Sequence, residues 1–301
     1  MKPTTLSSLV LATDGSADAA LARRAVADLA RATGAAVHVV NAWNLHAMAS
    51  GYGYVLSEEL PALYEEGARA VAASECALLL ADGVRAATTH VGCGRPSDVI
   101  LDLAGTVGAD LIVLGSRGHG PVARLALGSV SDAVVRESTR PVLVLRGGES
   151  AWPPERIVVG HDGSAESDAA TLVAAAVARS SGAPLTLLEI VPGLSEGDIA
   201  AVGQHTADEF VADCLSHLEG TARPLGEHLA GEVQARVEIG HPAAILLAAA
   251  AGPHPGMLAV GRSGIGGVRR MLMGSVSTKV LHAAPGAVLV APAPDPDPAG
   301  S

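Results

Sequence analysis

Aromatic residues are scarce in this 301-residue chain, with two Trp, three Tyr and one Phe. Hydrophobic residues nevertheless make up 49%, so any core must be built from Ala, Val, Leu and Ile. That suits helices packed on a buried sheet and disfavours a lectin-like or antibody-like β-sandwich. Lysine is almost missing: only Lys2 and Lys279 occur, and neither lies in a G-x-x-x-x-G-K-[ST] loop. This excludes a P-loop NTPase and leaves Schiff-base chemistry with a terminal residue and one lone candidate. The formal charge of −11 argues against nucleic acid or anionic membrane as partner, since basic clusters supply most of that affinity. The three cysteines, Cys76, Cys93 and Cys214, form no C-x-x-C pair, which disfavours a disulfide scaffold or structural zinc. Apolar runs such as residues 243–251 are far short of the roughly 20 needed to span a bilayer. Residues 9–12 are too short for a signal-peptide core. The expectation is a cytoplasmic protein with no membrane partner.

What the chain does contain is a repeat. Leu9-Val10-Leu11-Ala12-Thr13-Asp14-Gly15-Ser16 returns as Ile157-Val158-Val159-Gly160-His161-Asp162-Gly163-Ser164, at an offset of 148. Residues 115–131 match residues 261–277 at 9 of 17 positions, at an offset of 146. Order and spacing survive, so the chain reads as a tandem duplication. Residues 1–146 form the first expected domain and residues 155–292 the second. The turn-forming stretch 147–154 between them reads as a linker, and the Pro/Asp-rich residues 293–301 read as a disordered tail.

Within each half, short apolar runs alternate with helical patterns. In the first half strands are expected at residues 9–12, 37–40, 88–91, 111–114 and 142–145, with helices after Ser16 and over 65–80, 98–107 and 129–137. The second half follows the same order, with strands near Ile157, Leu185, Val233, Leu258 and Ala287. This alternation predicts two five-stranded doubly wound α/β domains, each a parallel sheet covered on both faces. Ligands are then expected at the carboxyl ends of the strands. The closing strands 142–145 and 287–290 are apolar and would form sheet edges, so the halves are expected to pair through them as an intrachain pseudo-dimer.

The chemistry lies after strand four. There the halves read Gly115-x2-Gly118-x9-Gly128-Ser129 and Gly261-x2-Gly264-x9-Gly274-Ser275, both ending in Gly-Ser-Val-Ser. Glycines let a backbone approach phosphate closely, and a helix opening at Gly-Ser presents free N–H groups and a favourable dipole. The bland alternative, a tight strand-to-helix loop, is weakened by two copies with identical spacing. Asp14 and Asp162, at the ends of the first strands, are placed to accept from ribose hydroxyls, or else simply to make Asx turns before capped helices. Small apolar residues at neighbouring strand ends would form a slot for a flat purine.

Strand-Asp-Gly-Ser-helix, the glycine motif and a closing Pro-Val-Leu-Val strand together resemble the universal stress protein family in its tandem form. The resemblance covers roughly residues 7–146 and 155–292. It implies an adenine-nucleotide-binding, Rossmann-like fold and ATP, with or without Mg, as ligand. Carried across, the first site is Ala12, Asp14, Ala42, Leu114, Gly115, Gly118, Gly128, Ser129, Val130 and Ser131. The second is Gly160, Asp162, Ile190, Val260, Gly261, Gly264, Gly274, Ser275, Val276 and Ser277. One departure is Gly256, which stands where the first half has Asp110 before strand four and is expected to weaken the start of that strand. Another is His161 in place of Thr13, read as a surface or hydrogen-bonded residue.

The rival readings are thinner. Gly118-x-Gly120-x-x-Ala123 loosely fits a dinucleotide fingerprint but follows the fourth strand instead of the first. The Ser-Gly-Gly-x-Asp-Ser loop of ATP-pyrophosphatases is absent. The expected role is therefore a nucleotide-responsive stress or regulatory module with one ATP per domain and no catalytic residues. The alternative is a slow ATPase or self-phosphorylating enzyme using Ser129, Ser131 or their counterparts, with Arg124 and Arg270 reaching a γ-phosphate. A homodimer of chains and the downstream partner are left open.

Overall fold

The computed structural model describes residues 4–44, 60–118, 127–146, 152–193, 204–264 and 273–294. Most of the expected linker and tail lies outside these stretches, as do Arg124 and Arg270. The chain divides into two compact units, one spanning Leu6–Glu149 and the other built from Ser150–Ser301.

The first unit runs β1 (Ser8–Ala12), α1 (Ala17–Thr33), β2 (Ala36–Trp43), α2 (Leu60–Ala81), β3 (Ala87–Cys93), α3 (Pro96–Thr106), β4 (Leu111–Gly115), α4 (Ser129–Glu137) and β5 (Val142–Leu145). Its five strands are parallel, in the order β3-β2-β1-β4-β5. The second unit runs β6 (Ile157–Gly160), α5 (Ala165–Ser181), β7 (Leu185–Pro192), α6 (Gln204–Gly226), β8 (Val233–Gly240), α7 (Pro242–Ala250), β9 (Met257–Gly261), α8 (Ser275–Ala283) and β10 (Val288–Ala291). Its parallel order is β8-β7-β6-β9-β10. Both units are thus the five-stranded doubly wound sheets that the alternation predicts.

The apolar runs are buried because both faces of the sheet are covered. Leu9, Val10 and Leu11 of β1, Leu111, Ile112 and Val113 of β4, and Leu143, Val144 and Leu145 of β5 are wholly buried. On one face α1 packs against β1, β4 and β5; on the other α3 packs against β1, β2 and β3. Alanines make the first of these contacts close: Ala19, Ala22, Ala25, Ala27 and Ala30 lie on the buried side of α1. Truncating Ile112 to Ala in this fully packed layer should cost about 2–5 kcal/mol, read as a lowered urea midpoint with unchanged m.

Local signals set the helix ends. Ser16 caps α1 by accepting from the Ala19 N–H, and Ser164 caps α5 by accepting from the Ser167 N–H. Helix α2 starts at Leu60, five residues ahead of the expected 65, and α3 starts at Pro96, ahead of 98. The missed start of α3 has a plain cause: proline at the first helical position is preorganised and needs no N–H partner.

The approaches to β4 and β9 are built differently. In the first unit the Asp110 carboxylate accepts from the Ser7 N–H at 2.7 Å, the Ser7 hydroxyl at 2.7 Å and the Ser8 N–H at 3.0 Å, tying β4 to β1. In the second unit Gly256 stands before β9. A Cβ there would lie 2.9 Å from Arg156 Cγ, so the glycine makes room for Arg156. Its guanidinium donates to the carbonyls of Ala249, Ala250 and Ala251 at the end of α7, where a cation also complements the helix dipole. Among the described residues no helix is long and apolar enough to cross a membrane.

Candidate functional site

In each unit the strand order reverses between the first strand and the fourth, so the loops leaving their carboxyl ends diverge to opposite faces and leave a crevice. In the first unit all ten expected residues line one cavity of about 330 Å³ there. Ala12 and Asp14 reach it from the end of β1, Ala42 from β2, and Leu114, Gly115 and Gly118 from β4 and its loop. Gly128, Ser129, Val130 and Ser131 supply the first turn of α4. The ten residues of the second unit likewise line one cavity, of about 790 Å³.

Asp14 follows β1 on the turn that its own side chain organises. Its Oδ1 accepts from the Ser16 N–H at 3.0 Å, and Gly15 takes φ +79°, a left-handed conformation that glycine adopts without steric cost. Asp162 repeats the arrangement, accepting from the Ser164 N–H at 3.1 Å and from its hydroxyl at 2.5 Å, with Gly163 at φ +77°. The Asx turn and a ligand-facing carboxylate are therefore compatible, because both aspartates are exposed and line their cavities.

The motif glycines lie against three different neighbours. A Cβ on Gly115 would sit 2.7 Å from the backbone carbon of Asp18 and 2.8 Å from the Ala19 nitrogen, so α1 lies directly on it. A Cβ on Gly118 would fall 2.1 Å from Asp14 Oδ2, and one on Gly264 would fall 2.2 Å from Asp162 Oδ2. At Gly128, which precedes α4 with extended backbone and no side-chain cap, a Cβ would come 3.1 Å from the Ser116 carbonyl. The first N–H groups of α4 consequently face the cavity end with no cap supplied by their own N-terminal residue.

The motif serines divide by exposure. Ser129 and Ser275 are exposed, whereas Ser131 and Ser277 are buried. The Ser131 hydroxyl donates to the Ser116 carbonyl at 2.9 Å, and the Ser277 hydroxyl donates to the Gly261 carbonyl at 2.6 Å. Ser131 fastens the first turn of its helix to the loop, and Ser277 fastens its own to the end of β9.

An acid-serine-arginine group under the glycine loop was not foreseen from the sequence. Asp18, in the first turn of α1, accepts from the Ser116 hydroxyl at 2.7 Å and from Arg117 Nε at 3.2 Å. The second unit has the pair transposed, Arg262 then Ser263, and carries Glu166 as the acid. Here the Ser263 hydroxyl donates to Glu166 Oε1 at 2.9 Å. Burial holds the Arg262 guanidinium below its ordinary pKa, while Glu166 opposes that shift. Burial lowers Arg146 as well, the charge of Arg117 adds to this, and Asp18 opposes it. Arg117 also lines the first cavity and Ser263 the second. A longer acid reaching a serine one position further on is a substitution visible only as a swapped dipeptide.

Further cavity residues come from elements without a motif. Pro96 and Ile100 of α3 close the apolar side of the first cavity. Glu189, Phe210 and Pro242 widen the lining of the second. His161 is not on the surface: it is 3% exposed, and its Nε2 pairs with Asp168 Oδ1 at 3.1 Å.

Comparison with known proteins gives one answer. The sequence model of the universal stress protein family matches residues 6–146 and again residues 154–292. A universal stress protein of Mycobacterium tuberculosis is 34% identical over 235 residues, 71% of this chain and 75% of its own length. One from Mycolicibacterium smegmatis is 34% identical over 193 residues, 60% of this chain and 61% of its own. The crystal structure of a universal stress protein from Archaeoglobus fulgidus superposes with a TM-score of 0.67 over 95% of this chain and 98% of that one, at 23% identity, and so shares the fold. Two matches that together span nearly the whole sequence, on two sheets of the same topology, establish that the chain belongs to the universal stress protein family and carries its domain twice in tandem.

Proposed function

We propose that each unit binds one ATP and that the chain is a nucleotide-responsive regulatory module. The observation that carries this reading is the convergence, in both units, of the Asp-Gly-Ser turn, the glycine loop and an uncapped helix N-terminus on one cavity. The first turns of α4 and α8 would receive phosphates. Asp14 and Asp162 would accept from ribose hydroxyls, and the apolar ends of β2 and β7 would flank the purine. Within the family, the resemblance associates the intact glycine motif with ATP binding.

Mg, if it accompanies the nucleotide, would come in on the phosphates. Among the described residues no group of three or more His, Cys, Asp or Glu side chains gathers to hold a metal, and Mg commonly sits on substrate phosphates with few protein ligands.

Slow self-phosphorylation is the second reading. It is favoured by the exposure of Ser129 and Ser275 at the cavity, and disfavoured at Ser131 and Ser277, whose protons are engaged by carbonyls. Lys279 lines neither cavity, so among the described residues no positioned lysine assists phosphoryl transfer.

Denaturing the purified full-length protein and identifying the nucleotide released tests the main reading and separates ATP from cyclic AMP. Turnover is expected below about 1 s⁻¹, the low end of ordinary enzymes, with ATP recovered intact after minutes. Faster hydrolysis, or phosphate found on Ser129 or Ser275 after incubation with ATP, would move the chain into the enzyme class.

A further inference from the structure

Strands β2 and β3 run parallel with His38 opposite Thr88 and Val40 opposite His90, so alternation brings His38, Thr88 and His90 to one face of the sheet. There His38 Nδ1 lies 3.2 Å from His90 Nε2, and the Thr88 hydroxyl oxygen lies 3.0 Å from the first and 3.1 Å from the second. Three lone-pair atoms thus form a nearly equilateral triangle. The two rings are tilted by 47° with centroids 5.3 Å apart, meeting through their nitrogens and not through stacked faces.

With one facing nitrogen protonated, its N–H donates to the other ring, and the Thr88 hydroxyl joins the pair while also lying 3.5 Å from the Val37 carbonyl. The unprotonated nitrogen of a neutral imidazole is a metal ligand.

The spacing suits that role. Late first-row divalent ions bind imidazole nitrogen at about 2.0–2.1 Å. Two nitrogens 3.2 Å apart then subtend about 100° at the ion, between the octahedral and tetrahedral values. We propose that His38 and His90, with the Thr88 hydroxyl as third ligand and water completing the shell, bind one divalent ion of the zinc, nickel or copper class. The second unit lacks the site, because the same register positions hold Thr186, Gln234 and Arg236. The expected stoichiometry at this site is one ion per chain.

The test titrates the nucleotide-free full-length protein with ZnCl2 against a chromophoric chelator. It compares wild type with His38→Gln, with His90→Gln and with the double variant His38→Thr/His90→Arg, which uses residues the second unit already accommodates. Wild type should hold one zinc equivalent more than the double variant, while far-UV circular dichroism and ATP binding stay unchanged. With Cu2+, paramagnetic resonance should show two coupled imidazole nitrogens in wild type and one in each single variant. Equal zinc stoichiometry and affinity in wild type and the double variant would overturn the assignment. Should the variants fail to fold, an anomalous map of zinc-soaked wild-type crystals decides: a peak between the two rings supports the site, and its absence refutes it.

Discussion

Replacing Gly128 with Asp is expected to remove one of two bound nucleotides and leave the other in place. Gly128 has φ −69° and ψ 150°, extended backbone that any residue adopts, so the substitution does not act through backbone strain. Its Cβ would come 3.1 Å from the Ser116 carbonyl, a tight but local approach. The main effect is a carboxylate at the helix N-terminus where phosphate is proposed to sit. Like charges about 4 Å apart at an effective dielectric constant of 20 repel by about 4 kcal/mol, on the order of a thousandfold in affinity. Gly274→Asp is the cleaner partner experiment, since its nearest neighbour would be the Arg262 carbonyl at 3.5 Å, an ordinary contact. Calorimetry on wild type, Gly128→Asp, Gly274→Asp and the double variant should give two, one, one and no sites. A wild-type value of one would mean that one unit is a scaffold. Loss of both sites from either single change would overturn their independence.

Gly115→Ala should produce the second large effect, and it should appear in stability before binding. The added Cβ would meet the Asp18 carbon at 2.7 Å and the Ala19 nitrogen at 2.8 Å. Both are backbone atoms of a buried helix and cannot rotate aside, so α1 must lift from β4 or the strand end must move. Overpacking of this kind costs about 1–3 kcal/mol, occasionally more, and should lower the urea midpoint of the protein. Gly67→Ala in α2 is the control: nothing lies within 4 Å of its Cβ position, so the helix should gain about 0.4–1 kcal/mol. If the two substitutions shift the midpoint equally, the close packing of α1 on Gly115 is wrong.

The contrast between these glycines marks how far the site was legible beforehand. Spacing located Gly115, Gly118 and Gly128 on one loop, and a parallel sheet with its switch point forces such a loop to meet the ends of β1 and β2. That is why all ten expected residues of each unit line one cavity. Spacing did not tell why each glycine is needed. Gly115 answers to a helix backbone, Gly118 to the Asp14 carboxylate, and only Gly128 stands at the uncapped helix start.

The sequence by itself determined the duplication, the alternation of strand and helix, the parallel sheets, the serine caps of α1 and α5, the family and the site motifs. All of these rest on local periodicity, on repeated spacing, or on residue types whose backbone preferences act within a few positions. Tertiary structure alone decided the pairs whose members are far apart in the chain. Asp18 meets Ser116, the transposed Arg262-Ser263 pair sits by Glu166, and Arg156 meets the carbonyls that end α7. His38 finds His90 across two strands, and Pro96 and Ile100 close the first cavity. Each of these depends on inter-strand register and on the reach of particular side chains over a closely packed helix, and no pattern along one segment encodes either.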